Sequence, residues 1–420
     1  MTIGWVVAFQ LKPGIMMRRM MKNPTVSKMT PQDMHVQDLE NTLQEVARNL
    51  QAITTRFYMY DHPNITMVHD TSLLNLRPRR MPHMNEVKND AQILLALGQS
   101  PLRTYNPNEA ELFIVTTPMT LILMSRSEDY DTPMNHLVYH EEPFRKHQGN
   151  KHVIVSGAFP LFRTQHQKNT RMRGWYGKIW NVTVFQSWDP SATYNSMHSP
   201  QNATWGTWQK TKDLGGNVPL TKRSVSLGLG SSNEQVGLIP ASVEKFRNSS
   251  NFVFYHSRSL PSFNNSTIFR HAPITNITLD SNFPKSSIGW DIEKEAWERN
   301  FTDSKFCLII RGDSPHSHAL WRSIRVGCIP VIAADVLPIF SPMYKNTLQV
   351  EDYAVVLNEE ELVSDPTKTL LQLNDMSEEE IRLKLKHLAF AQRVIFTDHP
   401  QSLFVPAFLK EAEMASVAKM

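Results

Sequence analysis

Two arginines, two serines, a glycine and an aspartate crowd into residues 305–335, KFCLIIRGDSPHSHALWRSIRVGCIPVIAAD. Gly312 lets the backbone approach a ligand closely. Ser314, Ser317 and the leading N–H groups of a helix that starts near His318 make a site for an anion. Arg311 and Arg322 carry forked donors suited to a diphosphate. Asp335 can accept a hydrogen bond from a ribose or sugar hydroxyl, and Arg258 ends another strand-like run at the same expected edge. The set fits a nucleotide-sugar diphosphate, although on spacing alone many loops of this kind bind no phosphate. Arg311-Gly312-Asp313 is also the integrin tripeptide, but it lies inside a fold-forming unit and reads as coincidence.

Regular elements must position these groups. Phe306 to Ile310 is an apolar strand-like run, residues 311–315 are a polar turn, and a helix-like run follows to Val326. Gly327 stops it, and a second buried strand-like run leads to Asp335. Strand, loop, helix, strand is one βαβ unit of a parallel sheet, whose ligands bind beyond the carboxyl ends of the strands. The same alternation recurs. Strands are expected at 56–60, 111–116, 151–155, 179–186 and 251–257, with a helix over 85–98. Residues 348–357 read as a strand region, 359–373 as an acid-rich helix and turn. A last helix is expected from the capping box Ser377-x-x-Glu380 to Phe396. Residues 32–52 have helical apolar spacing and fit either a stem or a helix packed on the first domain. The expected organisation is a tail or stem-like segment (1–55), a first domain with long loops (56–245), a second domain (246–400) and a terminal tail or helix (401–420).

Composition sets the outer limits. The 420 residues allow two domains, and 41% hydrophobic with 20% charged residues is a globular balance. A net charge of +4 without a dense basic patch excludes nucleic acid as a partner. Cys307 and Cys328 lack zinc spacing; they are either buried small hydrophobes or one disulfide between adjacent parallel strands. Asn-x-Ser/Thr sequons stand at Asn64, Asn181, Asn202, Asn248, Asn264, Asn265, Asn276 and Asn300, which points to passage through the secretory lumen. The amino-terminal apolar run is broken at Lys12 and Pro13, so any membrane anchor is not evident in this sequence. The glycine-rich run 226–237 lacks the Lys-Ser/Thr of a P-loop. Asp129-Tyr-Asp131 has an Asp-x-Asp pattern in a loop-like acidic stretch, and no metal site is expected.

The motifs converge on a known family. Phe306-Cys-Leu308, Gly312-Asp-Ser-Pro315 and Gly327-Cys-Ile-Pro-Val-Ile332 with Asp335 resemble the signature of the exostosin glycosyltransferases. Tyr58-Met-Tyr-Asp61 is similar to the family's first strand. Ser100-Pro-Leu-Arg-Thr104 with Asn108-Glu-Ala-Glu-Leu-Phe-Ile-Val115 resembles its Pro-x-Arg-Thr element. Asp352-Tyr-Ala-Val355 and the last helix with Arg393 are similar to its tail. The resemblance covers most of 56–400.

It implies an α/β, GT-B fold: two Rossmann-like domains with a cleft between them, acceptor side first and nucleotide-sugar side second. It implies an inverting enzyme of the Golgi or secretory lumen. A base would deprotonate an acceptor hydroxyl, which displaces the nucleoside diphosphate in line. The donor would be a nucleotide-sugar, UDP-linked in the first instance, held by Arg258, Arg311, Gly312, Asp313, Ser314, Ser317, His318, Arg322, Gly327 and Asp335. The acceptor would be a glycan. No cofactor or metal is expected beyond the co-substrate, and homo- or hetero-oligomers with related transferases are compatible with the family. Asp61, His62, His140, Glu141, Glu142 and His152 are the acceptor-side base candidates, with Asp61 and His152 carried forward. Two departures stand out. Arg322 occupies the place of a glutamate that the family's helix uses toward ribose. Of a Gly-Arg-Asp-His-Phe motif only His152, in Gly149-Asn-Lys-His152-Val, has a counterpart. The first departure makes a non-catalytic glycan-binding or partner-stabilising protein of the same fold the rival reading.

Overall fold

The computed structural model describes residues 31–66, 84–117, 131–155, 183–185, 237–249, 251–255, 277–279, 302–310, 318–333, 344, 346–358, 361–362 and 366–417. The chain begins with helix α1 (Pro31–Gln51) and strand β1 (Phe57–Met59), then α2 (Met84–Gly98), β2 (Arg103–Thr104) and β3 (Leu112–Val115). Next come α3 (Asp131–His140), α4 (Glu142–His147), β4 (His152–Val155) and β5 (Thr183–Phe185). The second half holds α5 (Val243–Asn248), β6 (Asn251–Tyr255), β7 (Ile277–Leu279), β8 (Ser304–Ile310), α6 (His318–Arg325) and β9 (Ile329–Ala333). It closes with α7 (Val350–Tyr353), β10 (Val355–Leu357), α8 (Pro366–Leu371), α9 (Glu378–Ile395) and α10 (Phe404–Val417).

Two five-stranded sheets result, ordered β2-β1-β3-β4-β5 and β10-β9-β8-β6-β7, and all their pairings are parallel. Counted from its own first strand, each sheet has the order 2-1-3-4-5 of a doubly wound fold. The mixed α/β architecture expected from the alternation of strand and helix signals is therefore present. The continuous apolar runs reflect burial on both faces of a parallel sheet: β3, β4 and β9 are buried at every residue.

The capping box forms as its spacing predicts. The Ser377 hydroxyl accepts from the Glu380 N–H, and the Glu380 carboxylate accepts from the Ser377 N–H at 2.8 Å. One expectation changes. Residues 348–357 do not make one strand: Val350 and Tyr353, three apart and both buried, wind into α7, and the ladder with β9 starts only at Val355, opposite Val331. Both ends of the described chain are helices and pack on one another, α1 lying on both α9 and α10. Phe404, Ala407, Phe408 and Leu409 of α10 are at most 2% exposed. Burial of each of the two phenylalanines and the leucine contributes about 1.5–3 kcal/mol, so α10 is core. One apolar cluster runs from α1, α2 and the first sheet into the second sheet, α9 and α10.

Candidate functional site

In a 2-1-3-4-5 sheet the chain changes direction between the first and third strands, and the crevice there takes the ligand. In the second sheet that point lies between β6 and β8. β8 ends at Ile310, immediately before Arg311; β6 ends at Tyr255, three residues before Arg258; β9 ends at Ala333, two before Asp335. The sequence candidates thus follow the carboxyl ends of three neighbouring strands. Arg258, Arg311, Gly312, Asp313, Ser314, Ser317 and Asp335 themselves lie outside the described residues, as does the His318 side chain. So do Asn181, Asn202, Asn264, Asn265, Asn276 and Asn300.

What carries that edge is described. Cys307 on β8 and Cys328 just before β9 form a disulfide, Cα atoms 6.0 Å apart, spanning the whole of α6 across 21 residues. Of the two readings open for the cysteines, the covalent one holds. Gly327 ends α6 with φ +65°. A Cβ there would stand 2.9 Å from Ala241 Cα and 3.1 Å from the Ile239 carbonyl oxygen. Gly327 precedes the amino end of β9, and these contacts leave no room for a side chain there. Gln392 of α9 completes the join. It accepts from the Ala241 N–H at 3.0 Å and donates to the Ile239 and Ile324 carbonyls at 2.7 Å each. Arg322 is buried, 7% exposed, and desolvation pulls its guanidinium down to about 9.

In the first sheet the switch point lies between β1 and β3, at Tyr60-Asp61-His62 and Thr116-Thr117. Thr66 and Thr116 hydroxyls both donate to the Tyr60 carbonyl at 2.8 Å, and Thr117 donates to the Ile65 carbonyl at 2.7 Å. With Ile65 buried beneath it, this stitching fixes a turn that leaves Asp61 exposed. The Tyr58 hydroxyl donates to Asp61 at 3.4 Å, and burial, helped by the Asp61 and Glu141 charges, pushes this phenol up to about 12. A cavity of about 250 Å³ opens beside Tyr60, Thr66, Arg103 and Thr116.

His152, the other base candidate, lies at the amino end of β4, fully buried. Its Nε2 meets the Tyr60 hydroxyl at 2.7 Å, and Phe113 and Phe144 flank its ring at 4.9 and 4.8 Å between centroids. It is a core histidine, whereas Asp61 meets solvent. Asn64 and Asn248 are also exposed. Sequence reasoning missed His136 of α3, whose Nε2 is 3.2 Å from a Glu141 carboxylate oxygen and whose ring stacks on His62 at 3.8 Å. Desolvation and the neighbouring His62 lower its pKa. Seventy-four positions separate His62 from His136, so no local spacing announces the contact.

Two parallel sheets of doubly wound strand order define a mixed α/β, Rossmann-like class. Within it, the family model of the exostosin GT47 domain matches residues 54–373, and the chain belongs to this glycosyltransferase family. No curated protein matches the chain significantly.

Proposed function

We propose that the chain is an inverting glycosyltransferase of GT-B arrangement that moves a sugar from a nucleotide-sugar, UDP-linked first among the candidates, to a glycan or glycoprotein acceptor. The single observation behind this reading is that, in a chain with an exostosin GT47 domain, Arg258, Arg311 and Asp335 follow the carboxyl ends of adjacent strands around the β6/β8 switch point. Residues 246–400 would hold the donor and 56–245 the acceptor. Arg311, with Ser314, Ser317 and the start of α6, would take the diphosphate, and Arg322 would oppose its charge from within α6. Gly312, Asp313 and His318 would shape the pocket, while Arg258 and Asp335 would line it. Basic side chains and a helix N-terminus meet the leaving-group charge, so the transfer itself needs no metal.

Asp61 is the better of the two base candidates because it is exposed at the first sheet's edge, whereas His152 is enclosed by aromatic rings. The Golgi or secretory lumen is the proposed compartment. Eight sequons support it, as does a disulfide, which persists in an oxidising environment. Among the described residues no helix is long and apolar enough to cross a membrane.

The test is transfer and donor hydrolysis across a panel of UDP- and GDP-sugars with glycan acceptors. Turnover should need no added divalent cation. It should fall about 100-fold or more in Asp61→Asn, the range for loss of a general base, and fall likewise in Arg311→Ala. A folded chain that binds neither nucleotide nor donor sinks the reading. One that binds glycan without nucleotide is the non-catalytic relative, the alternative favoured by one observation, the buried cation Arg322 in place of the family's glutamate.

A further inference from the structure

Three side chains from separate places meet beside the first sheet, and the proposed transfer uses none of them. His62 comes from the turn after β1, His136 from the middle of α3, and Glu141 from the residue that caps α4. One ligand atom from each lies within 4.8 Å of the others. His136 and Glu141 are 17% and 19% exposed at their side chains, so the trio is sheltered but reachable. We propose that His62, His136 and Glu141 bind one divalent transition-metal ion of the zinc type, with a remaining position open to water.

The donor set selects the ion class. Two imidazoles and one carboxylate suit zinc or cobalt, whereas magnesium and calcium take oxygen ligands. Three protein ligands and a water complete a tetrahedral shell. With bonds of about 2.0–2.1 Å, ligand atoms in such a shell stand roughly 3.4 Å apart. Ion binding therefore draws the present cluster inward. A metal lies near the plane of each imidazole it binds, so the stacked rings of His62 and His136, 19° from parallel, must splay. His62 is the ring that turns: it sits on a half-exposed turn, and rotating its side chain moves neither strand nor helix.

The surrounding hydrogen bonds fit this role. His62 Nδ1 accepts the Asn64 backbone N–H at 3.2 Å, so this nitrogen carries a lone pair that an ion can take over. His136 turns Nε2 to Glu141 and Nδ1 to the Asn64 side-chain amide at 3.3 Å. A half-turn of that amide presents its oxygen to an Nδ1–H, the outer contact that orients a metal-binding histidine. The ion ties the turn at 61–66 to α3 and α4. The site stands independently of the glycosyl-transfer reading.

Calorimetry of the full chain, stripped with chelator and titrated with zinc, tests the proposal. One equivalent should bind, cobalt should give the visible absorption of a tetrahedral site, and magnesium should give no heat. Glu141→Gln and His136→Ala should weaken zinc by at least ~10-fold while the circular dichroism stays native. His62→Asn, on the exposed turn, gives a third reading if a helix variant fails to fold. His399→Ala, remote from the trio, should bind as the parent does. A native parent chain that takes up no zinc overturns the site and leaves the trio a proton-sharing cluster; unchanged binding in the folded variants overturns it as well.

Discussion

The two sheets share one strand order and differ in what holds them. Around the second sheet the turn from α6 into β9 is pinned by the Cys307–Cys328 disulfide, by the close approach of Gly327 to Ala241, and by the Gln392 amide. Around the first sheet the corresponding interior is polar and aromatic: Tyr60, Phe113, His152 and the threonine stitching of the 60–66 turn. A covalent and backbone-to-backbone join tolerates little. A network of side-chain hydrogen bonds can lose one member and keep its shape. The second sheet is thus built as a fixed platform, and the first as the more adaptable edge.

The comparison fails or sharpens on measurements of chemical or thermal unfolding. Gly327→Val should cost roughly 3 kcal/mol or more, because it combines a positive φ with a clash against backbone. Gly98→Ala, its counterpart at the end of α2, should stay within about 0.5 kcal/mol, since a Cβ there meets only the Arg103 guanidinium at 3.8 Å. Equal losses at the two glycines would refute the contrast. Replacing both Cys307 and Cys328 by alanine should cost about 3 kcal/mol from the loop they close, with the parent protein moving to the same midpoint under reductant.

Gln392→Leu should cost about 2 kcal/mol by stranding buried backbone groups, and Tyr60→Phe about 1 kcal/mol by removing one hydrogen bond. If Tyr60→Phe were the more damaging of the two, the first sheet would be the rigid one. The smallest effect concerns pH. The Arg325 guanidinium, hydrogen-bonded to Asp398, holds that carboxyl below its usual range. Its contribution is complete above about pH 4 and is lost as pH falls through the depressed folded value. Arg325→Leu should flatten this acid limb by no more than about 1 kcal/mol, since the carboxylate is half-exposed.

Local signals carried far in this chain. The strand over Phe306–Ile310, the helix that follows it and the strand at Ile329–Ala333, with the capping box at Ser377 and Glu380, were legible because each needs only neighbours in sequence. The first strand was legible as the run at 56–60. The folding of 348–357 was not, because an apolar stretch of that length fits a strand or a turn of helix until β9 is there to pair with part of it. At Gly327 the sequence shows that a helix ends, and only the chain beyond shows that Ala241 leans on it.

By itself the sequence determined the alternation of strand and helix and the family to which the chain belongs. Tertiary structure alone decided that α1 and α10 close the core, that the two cysteines are joined, and that His152 is sealed while Asp61 is open. It also brought His62, His136 and Glu141 together. Periodicity and capping are local properties of a chain, whereas burial, register and clusters of side chains depend on which distant segments come to rest against each other.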